Sequence, residues 1–394
     1  MFFFIIFLSI ILIITLFVNL FPAFITKLLA VGFDTQTIDI AAPFVAINFW
    51  YLPLIFAVTF LSTILQYRNH FATSAFSTAL LNLSLILALY FSQDKTQSEI
   101  VYYLSWGVVI GGTMQLIVHL IAIKEMGLAK LLIGGFKHLH VKAKIIKKDT
   151  KEFTKQFFPA MWGNSTAQVS AFLDTLLASF LVTGSISYLY YANRIFQLPL
   201  ALFAIATSIA LFPRVARYIK NKDETQALEF LQKAFWFLTA LLTASAIGGF
   251  ILAGEITWLL FERGAFSTQD TADTTAVLQM YMIGLLPFGL QKLFLLWLYA
   301  KEMQMRAAKI ATVSLVTYIV FALSLISPMG VSGLALASTI GGIIGFGLTI
   351  KAFGVSMFLD MLRSKNIIYL IVSSLFLVVL LLFFKEFIST YISH

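Results

Sequence analysis

Cysteine is absent from all 394 residues. Disulfides, thiolate nucleophiles and Cys-based metal or redox centres are therefore excluded. Charge is scarce too: 11% of the chain is charged, against about 25% in soluble domains. The five histidines include one close pair, His138 and His140. That pair sits among lysines and reads as solvated, not metal-bound.

What is abundant is apolar side chain. Hydrophobic residues make up 60% of the sequence, 40 of them Phe, and the mean hydropathy is +0.93. A soluble core cannot bury that much apolar surface, so the bilayer must take it. The apolar runs are continuous instead of alternating, which predicts helices and not barrel strands. Backbone groups in hydrocarbon must bond within their own segment, which also requires helices. A span needs roughly 20 apolar residues. Eleven candidates meet this: 2–26, 41–66, 72–91, 100–123, 156–182, 187–211, 232–253, 274–299, 310–327, 332–353 and 366–384. The expected fold is an all-α polytopic membrane protein.

The basic residues alternate from loop to loop. Of the 27 Lys and Arg, 20 fall in the loops after the even-numbered spans. The opposite loops and ends hold only Lys27, Lys95, Arg263 and Lys385. The positive-inside rule makes the basic side, and with it Met1, cytoplasmic. The net charge of +9 is thus a topology signal and not a nucleic-acid footprint. Residues after Met1 are apolar at once, with no basic n-region and no cleavage site, so a signal peptide is not expected.

The organisation expected is an N-lobe of four spans (1–123), a basic cytoplasmic linker (124–155), a C-lobe of six spans (156–353) and an additional C-terminal helix (354–394). In the linker, Leu131, Leu132, Ile133 and Phe136 alternate with lysines. That pattern suits an amphipathic surface helix on anionic lipids, and equally a solvated connector between lobes.

Ionisable residues inside a span cost about 2.5–3.5 kcal/mol each on insertion scales, so they are candidate functional groups. Arg194 lies about 12 Å into its span. Steps of three and four give one small or polar stripe, Arg194, Gln197, Ala201, Ala204 and Ser208. Pro199 is expected to bend the helix there. A guanidinium keeps its proton and matches phosphate bidentately, so Arg194 reads as an anion-binding group. Its alternative is an internal ion pair with Asp174. Asp174 could hold a cation, relay a proton or pair with Arg194. Lys292 faces either a cavity or, by snorkelling about 10 Å, the cytoplasmic surface. Asn48, Asn82, Gln115, His119, Asn164, Gln168 and Gln291 read as interhelical hydrogen-bond formers. Glycines at 341, 342, 345 and 347 read as packing faces. No enzyme signature is present. The acidic loop around Glu262, Asp270 and Asp273 reads as an external turn capped by Ser267 or Thr268.

Several segments carry a family resemblance. They are FLDTLLASFLVTGSISYLYYANRIFQLPLALFAIATSIALFPRVARY (172–218), LLFERGAFSTQDT (259–271), LPFGLQKLFLLWLYA (286–300), MGVSGLALAST (329–339) and LSTILQYRNHFATSAFSTALLNLSLI (61–86). Together they resemble the MurJ (MviN) family, the lipid II flippases of bacterial peptidoglycan synthesis. The resemblance implies two six-helix lobes facing in a V, with extra C-terminal helices. It implies alternating access that moves undecaprenyl-pyrophosphate-linked disaccharide-pentapeptide outward across the inner membrane, for cell-wall biogenesis and cell shape. The implied partners are lipid II and, at 124–155, anionic lipids. No cofactor is implied beyond monovalent-cation or proton coupling.

By the same resemblance, Arg194 matches the family's cavity arginine; Asn193, Gln197 and Lys292 are the further candidate substrate contacts. Asn193 stands where the family usually has Asp. Asp174 and Thr339 match part of a sodium site, while Tyr318 and Ala322 replace its Asn and Asp, which puts sodium coupling in doubt. The first span resembles the family's third helix. The expectation is therefore an incomplete N-lobe lacking the first two helices, a missing final helix, and a chain that does not flip substrate unaided. The alternatives are an oligosaccharide-lipid or multidrug exporter of the same superfamily, and a truncated non-transporting paralogue. A cationic-drug exporter should carry cavity carboxylates. A membrane glycosyltransferase should carry a soluble lobe and clustered acids.

Overall fold

The computed structural model describes residues 2–137 and 143–391. The pair His138 and His140, at the centre of the basic linker, lies outside the described residues, as do the side chains of Asn164 and most of the linker lysines. Every regular element among the described residues is helical. The chain divides into two compact units, Met1–Phe153 and Thr154–His394.

The first unit holds α1 (Phe2–Leu20), α2 (Pro22–Leu29), α3 (Thr35–Phe49), α4 (Tyr51–Tyr67), α5 (Ala72–Ser92), α6 (Gln97–Glu125) and α7 (Ala129–Lys137). The first expected span is broken at Phe21, because Pro22 starts a new helix at its N-terminal position. The second begins earlier than expected, at Thr35, where the Asp34 carboxylate accepts from the Thr37 amide at 2.6 Å. Bonding to that amide holds the Asp34 carboxyl below its ordinary range. A capping box of Thr96 and Glu99 starts α6.

Lipid gives little hydrophobic drive between helices, so close packing and interhelical hydrogen bonds must hold them. Three glycines on α6 let neighbours approach. A Cβ on Gly111 would lie 3.0 Å from the Leu81 Cα, and one on Gly112 would lie 2.6 Å from the Tyr51 ring. Gln115 joins three helices: its amide donates to the Ser77 carbonyl at 3.0 Å and it accepts from the Tyr51 hydroxyl at 3.2 Å. Asn48 donates to Ser105 at 3.0 Å. His119 is buried, bonded through Nδ1 to the Gln115 carbonyl at 2.8 Å.

The second unit contains the end of α8 (Ala143–Ala178), then α9 (Ser185–Pro199), α10 (Ala206–Lys220), α11 (Glu224–Ile251), α12 (Ala253–Phe261), α13 (Thr268–Ala300), α14 (Gln304–Phe353), α15 (Val355–Leu362) and α16 (Asn366–Tyr391). Helix α13 runs through the middle and supplies six of the largest fully buried side chains, Trp297, Phe294, Leu278, Leu285, Leu293 and Leu298. Pro287 sits inside it without ending it. A knot of rings closes one end, with Phe294 4.8 Å from Phe353 and 5.6 Å from Phe358.

Helix α14 is two helices. Gly330 has φ 57° and ψ −133°, a conformation open to glycine alone. The chain folds back there, and a Cβ on Gly341 would meet the Ser314 carbonyl at 2.9 Å. The glycines at 341, 342 and 345 are indeed packing faces, against Ser314, Phe288 and Gln291. Nine helices among the described residues are long and apolar enough to cross a membrane. The break at Gly330 adds one pass, and the apolar end of α8, Gln168–Ala178, belongs to the remaining expected span. A second departure from a plain helix follows Pro199. Residues Leu200–Ile205 form a π-helical stretch joining α9 to α10.

Candidate functional site

Arg194 projects from α9, exposed. Its Nη2 donates to the Tyr190 hydroxyl at 3.1 Å, and the guanidinium carbon lies 4.6 Å from the centre of the Tyr190 ring. Residues four apart share a helix face, so the tyrosine one turn earlier acts as a rest for the arginine. A cation over such a ring at an exposed site gains about 0.5–1 kcal/mol. Arginine carries five N–H donors. No described carboxylate lies within 4.0 Å of it. Most of its donors and all of its charge remain available.

Asp174 does not serve as the counter-charge. Its Oδ1 accepts from the Tyr318 hydroxyl at 2.6 Å. The expected alternative of an Arg194–Asp174 pair is thus not formed, because a neutral donor on α14 already satisfies the carboxylate. Tyr281 on α13 sits beside both Asp174 and Asn193, and is itself buried. Gln197 donates to the Asn193 side chain. A line of hydrogen-bonding groups therefore runs from Asp174 past Tyr281 and Asn193 to Gln197, one turn from Arg194.

The stripe expected along α9 is not one face. Arg194 and Gln197 are exposed, whereas Ala204 and Ser208 are buried. A π-helical turn bonds i to i+5 and takes up an extra residue. Ala201 is still exposed, but past it the helix has rotated out of phase with the arginine, and Ala204 packs instead near Gly289.

Among the described residues, the hydroxyl oxygens near Asp174 are already engaged in hydrogen bonds. A hard cation takes several oxygen ligands. Ala322 has no side-chain oxygen, the Tyr318 hydroxyl donates to the carboxylate, and the Thr339 hydroxyl donates to the Met280 carbonyl at 2.7 Å.

Lys292 shares a neighbour with this group, Tyr318. It lines a cavity of about 540 Å³ bounded by α8, α13 and α14, together with Ser170, Gln291, Gln304, Ser338 and Tyr318. Arg194 itself does not line that cavity.

The acidic loop is structural. Ser267 and Asp270 form a capping box at the start of α13, and Asp270 also accepts from Tyr188 at 2.7 Å. Glu262 accepts from Thr268 and from Thr271 at 3.0 and 2.5 Å. Sequence reasoning passed over Tyr190, Tyr281 and the cavity lining. The four-residue spacing of Tyr190 and Arg194 was the signal for the first.

Comparison with known proteins bears on the chain as a whole. The family model described as "Lipid II flippase MurJ" matches residues 2–394. A probable lipid II flippase MurJ of Helicobacter pylori is 50% identical over 383 residues, which are 95% of this chain and 83% of that protein. One of Haemophilus influenzae is 32% identical over 316 residues, 78% of this chain and 59% of its own. Among solved structures, a lipid II flippase MurJ in an inward closed conformation superposes with a TM-score of 0.75 at 22% identity, covering 99% of this chain and 83% of the other. A MATE transporter of Vibrio cholerae shares the fold more distantly, with a TM-score of 0.62 at 13% identity and coverage of 90% and 77%.

Proposed function

The chain belongs to the lipid II flippase MurJ family, and from that premise we propose that Arg194 is the group that grips the anionic linkage of the lipid during its passage. The protein is a polytopic membrane transporter of lipid II and not an enzyme. The observation that carries the arginine's role is its charge state in context: a guanidinium inside a span, rested on Tyr190 and left without a counter-carboxylate. A permanent cation with free donors fits a pyrophosphate and repels a cationic drug.

The remaining assignments follow from this reading. Asn193 and Gln197 flank the arginine with neutral hydrogen-bonding groups for the polar head. Asn193 adds no negative charge beside Arg194, which keeps the arginine's field open to an anion. Transport by alternating access fits the family. The membrane is the bacterial inner membrane, with Met1 and the basic loops in the cytoplasm, because Lys and Arg are retained on that side. The lysine-rich stretch 124–155 meets anionic headgroups there.

The experiment is transport of fluorescent lipid II in proteoliposomes, alongside growth of flippase-depleted cells. Arg194→Ala should abolish transport, and Arg194→Lys should restore it only in part, since lysine loses the planar fork. Full transport by Arg194→Ala would overturn the assignment. Equal transport of a cationic drug by the parent protein would favour the multidrug reading.

A further inference from the structure

The segment FERGAF (261–266) serves neither Arg194 nor the cavity of Lys292. It joins α12 to α13 on the side of the membrane away from the basic loops. Beside it lies a second cavity of about 460 Å³, inside the second unit, walled by this loop and the start of α9. Its size is that of a small-molecule site. Three rings form part of the wall. The centre of Tyr191 lies 4.7 Å from that of Phe261 and 5.5 Å from that of Phe266, and the two phenylalanines are 6.0 Å apart. Ser187 on α9 adds a hydroxyl.

Arg263 is the cation on that wall, and it is exposed. The acids that flank it in sequence are bonded elsewhere. Glu262 accepts from Thr268 and Thr271, Asp270 from Ser267 and Tyr188, and Asp273 from Gln269. No described carboxylate lies within 4.0 Å of the guanidinium, which donates through Nη2 to the Leu260 carbonyl. Most of its five N–H donors stay open. Basic residues in this chain are otherwise sorted to the opposite side. Lys385, on the same side as Arg263, is paired with Glu255 at 3.5 Å. Arg263 is neither sorted nor paired.

The wall narrows the ligand. A guanidinium takes a carboxylate in a bidentate fork. Aromatic faces carry negative charge and suit polarised C–H groups, such as the apolar face of a sugar. A bare inorganic anion would leave the rings unused, and a purely apolar ligand would leave the arginine unused. A glycopeptide with a free carboxylate uses both.

We propose that this cavity binds a carboxylate-bearing glycopeptide, with the carboxylate on Arg263 and a sugar or peptide face against Tyr191, Phe261 and Phe266. This rests on the lipid II reading, whose cargo is a disaccharide-pentapeptide, and on the outer placement of the loop. Two sources offer that chemistry: the lipid-linked headgroup once it has crossed, and a soluble fragment of the wall. Tyr191 stands three residues before Arg194, toward the outer end of α9, so a headgroup leaving the arginine outward passes the cavity.

The test uses the cysteine-free chain with Ser187→Cys, in nanodiscs, and reads the rate of labelling by a maleimide. The probe is a soluble disaccharide-pentapeptide with neither lipid nor pyrophosphate. It should slow labelling several-fold at saturation. Gln97→Cys, exposed at the start of α6 on the same side, should label at its usual rate. Arg263→Gln, checked for an unchanged melting temperature, should raise the half-protecting concentration about tenfold, the loss expected for a charge-assisted hydrogen bond. Amidating the carboxylates of the probe should do the same with the protein unaltered. Arg194→Gln should leave protection intact, because the probe carries no pyrophosphate.

Labelling that the probe never slows overturns the inference, as does equal protection by the amidated probe. Loss of protection with Arg194→Gln would place the probe at that arginine and overturn it too. Failure of the Arg194 grip itself shows only in transport. A last arm names the source, with lipid II in the nanodisc in place of the soluble probe. Protection by both keeps the site and assigns it to the emerging headgroup. Protection by the soluble probe alone keeps the site and assigns it to wall fragments.

Discussion

Tyr318 donates a 2.6 Å hydrogen bond to Asp174, joining residues 144 positions apart in the sequence. The bond ties α14 to α8 inside the second unit. A carboxylate there has one strong neutral donor and no described cation within ion-pair distance.

Tyr318→Phe removes that donor and nothing else from the ring. A hydrogen bond to a charged group contributes about 1.5–3 kcal/mol. The variant should lose a similar amount of stability in detergent unfolding, and Asp174→Asn should lose less, because an amide oxygen still accepts. Equal stability of Tyr318→Phe and parent would mean that the bond carries no weight.

Tyr190 makes a functional prediction without touching the fold. Its ring is 55% exposed, so Tyr190→Leu has little packing to lose. The variant should unfold at the parent temperature, yet transport lipid II several-fold more slowly because Arg194 loses its rest. Tyr190→Phe keeps the ring and drops the 3.1 Å bond. It should fall between the two. A Leu variant as fast as the parent would show that Arg194 needs no support.

Gly330 provides a backbone test with an internal control. Its φ of 57° with ψ of −133° excludes side chains. Holding a non-glycine residue in such a region costs of order 1–3 kcal/mol. Gly330→Ala should lower stability accordingly. Gly347→Ala, in the same element but with open space around its Cβ position, should not. Matching melting curves for the two variants would contradict a hairpin at Gly330.

Gln115 predicts the strength of polar packing in the first unit. Gln115→Leu deletes one bond to the Ser77 carbonyl and one to Tyr51. Interhelical bonds in membranes average about 0.6 kcal/mol each, up to about 1.7. The loss should be near the sum of two such bonds. Denaturant unfolding of the variant reads it directly.

Orientation can be measured cleanly because the chain has no cysteine of its own. Single cysteines at Ser267 and at Met303 should label from opposite sides with a membrane-impermeant thiol reagent. Met303 should react only from the cytoplasm. Labelling of both from one side would break the topology.

The spans were legible because a helix in lipid has no alternative, and long apolar runs announce it. Arg194, Asp174 and Lys292 were legible for a related reason: a charge inside a span is costly enough to need a purpose. Their partners were less so. Tyr318 reaches Asp174 only through folding, and no local pattern reports that pairing. The stripe from Arg194 to Ser208 misled because a uniform 3.6-residue period was assumed across Pro199. The missing amide hydrogen at that proline and the π-helical stretch after it shift the phase, and only the folded backbone shows by how much. The second span was misread at its start because Asp34 caps a helix in what reads as a polar connector.

The π-helical stretch at Leu200–Ile205 also bears on how this segment tolerates length change. Such a stretch is the footprint of a single residue accommodated without breaking the helix. Removing one residue between 200 and 205 would let an unbroken α-helix form. The arginine would keep its bearing on the buried half of the segment, because the π-helical stretch already absorbs the extra residue. A one-codon deletion here would leave Arg194 where it stands, whereas one in the regular helix on either side would turn it by about 100°.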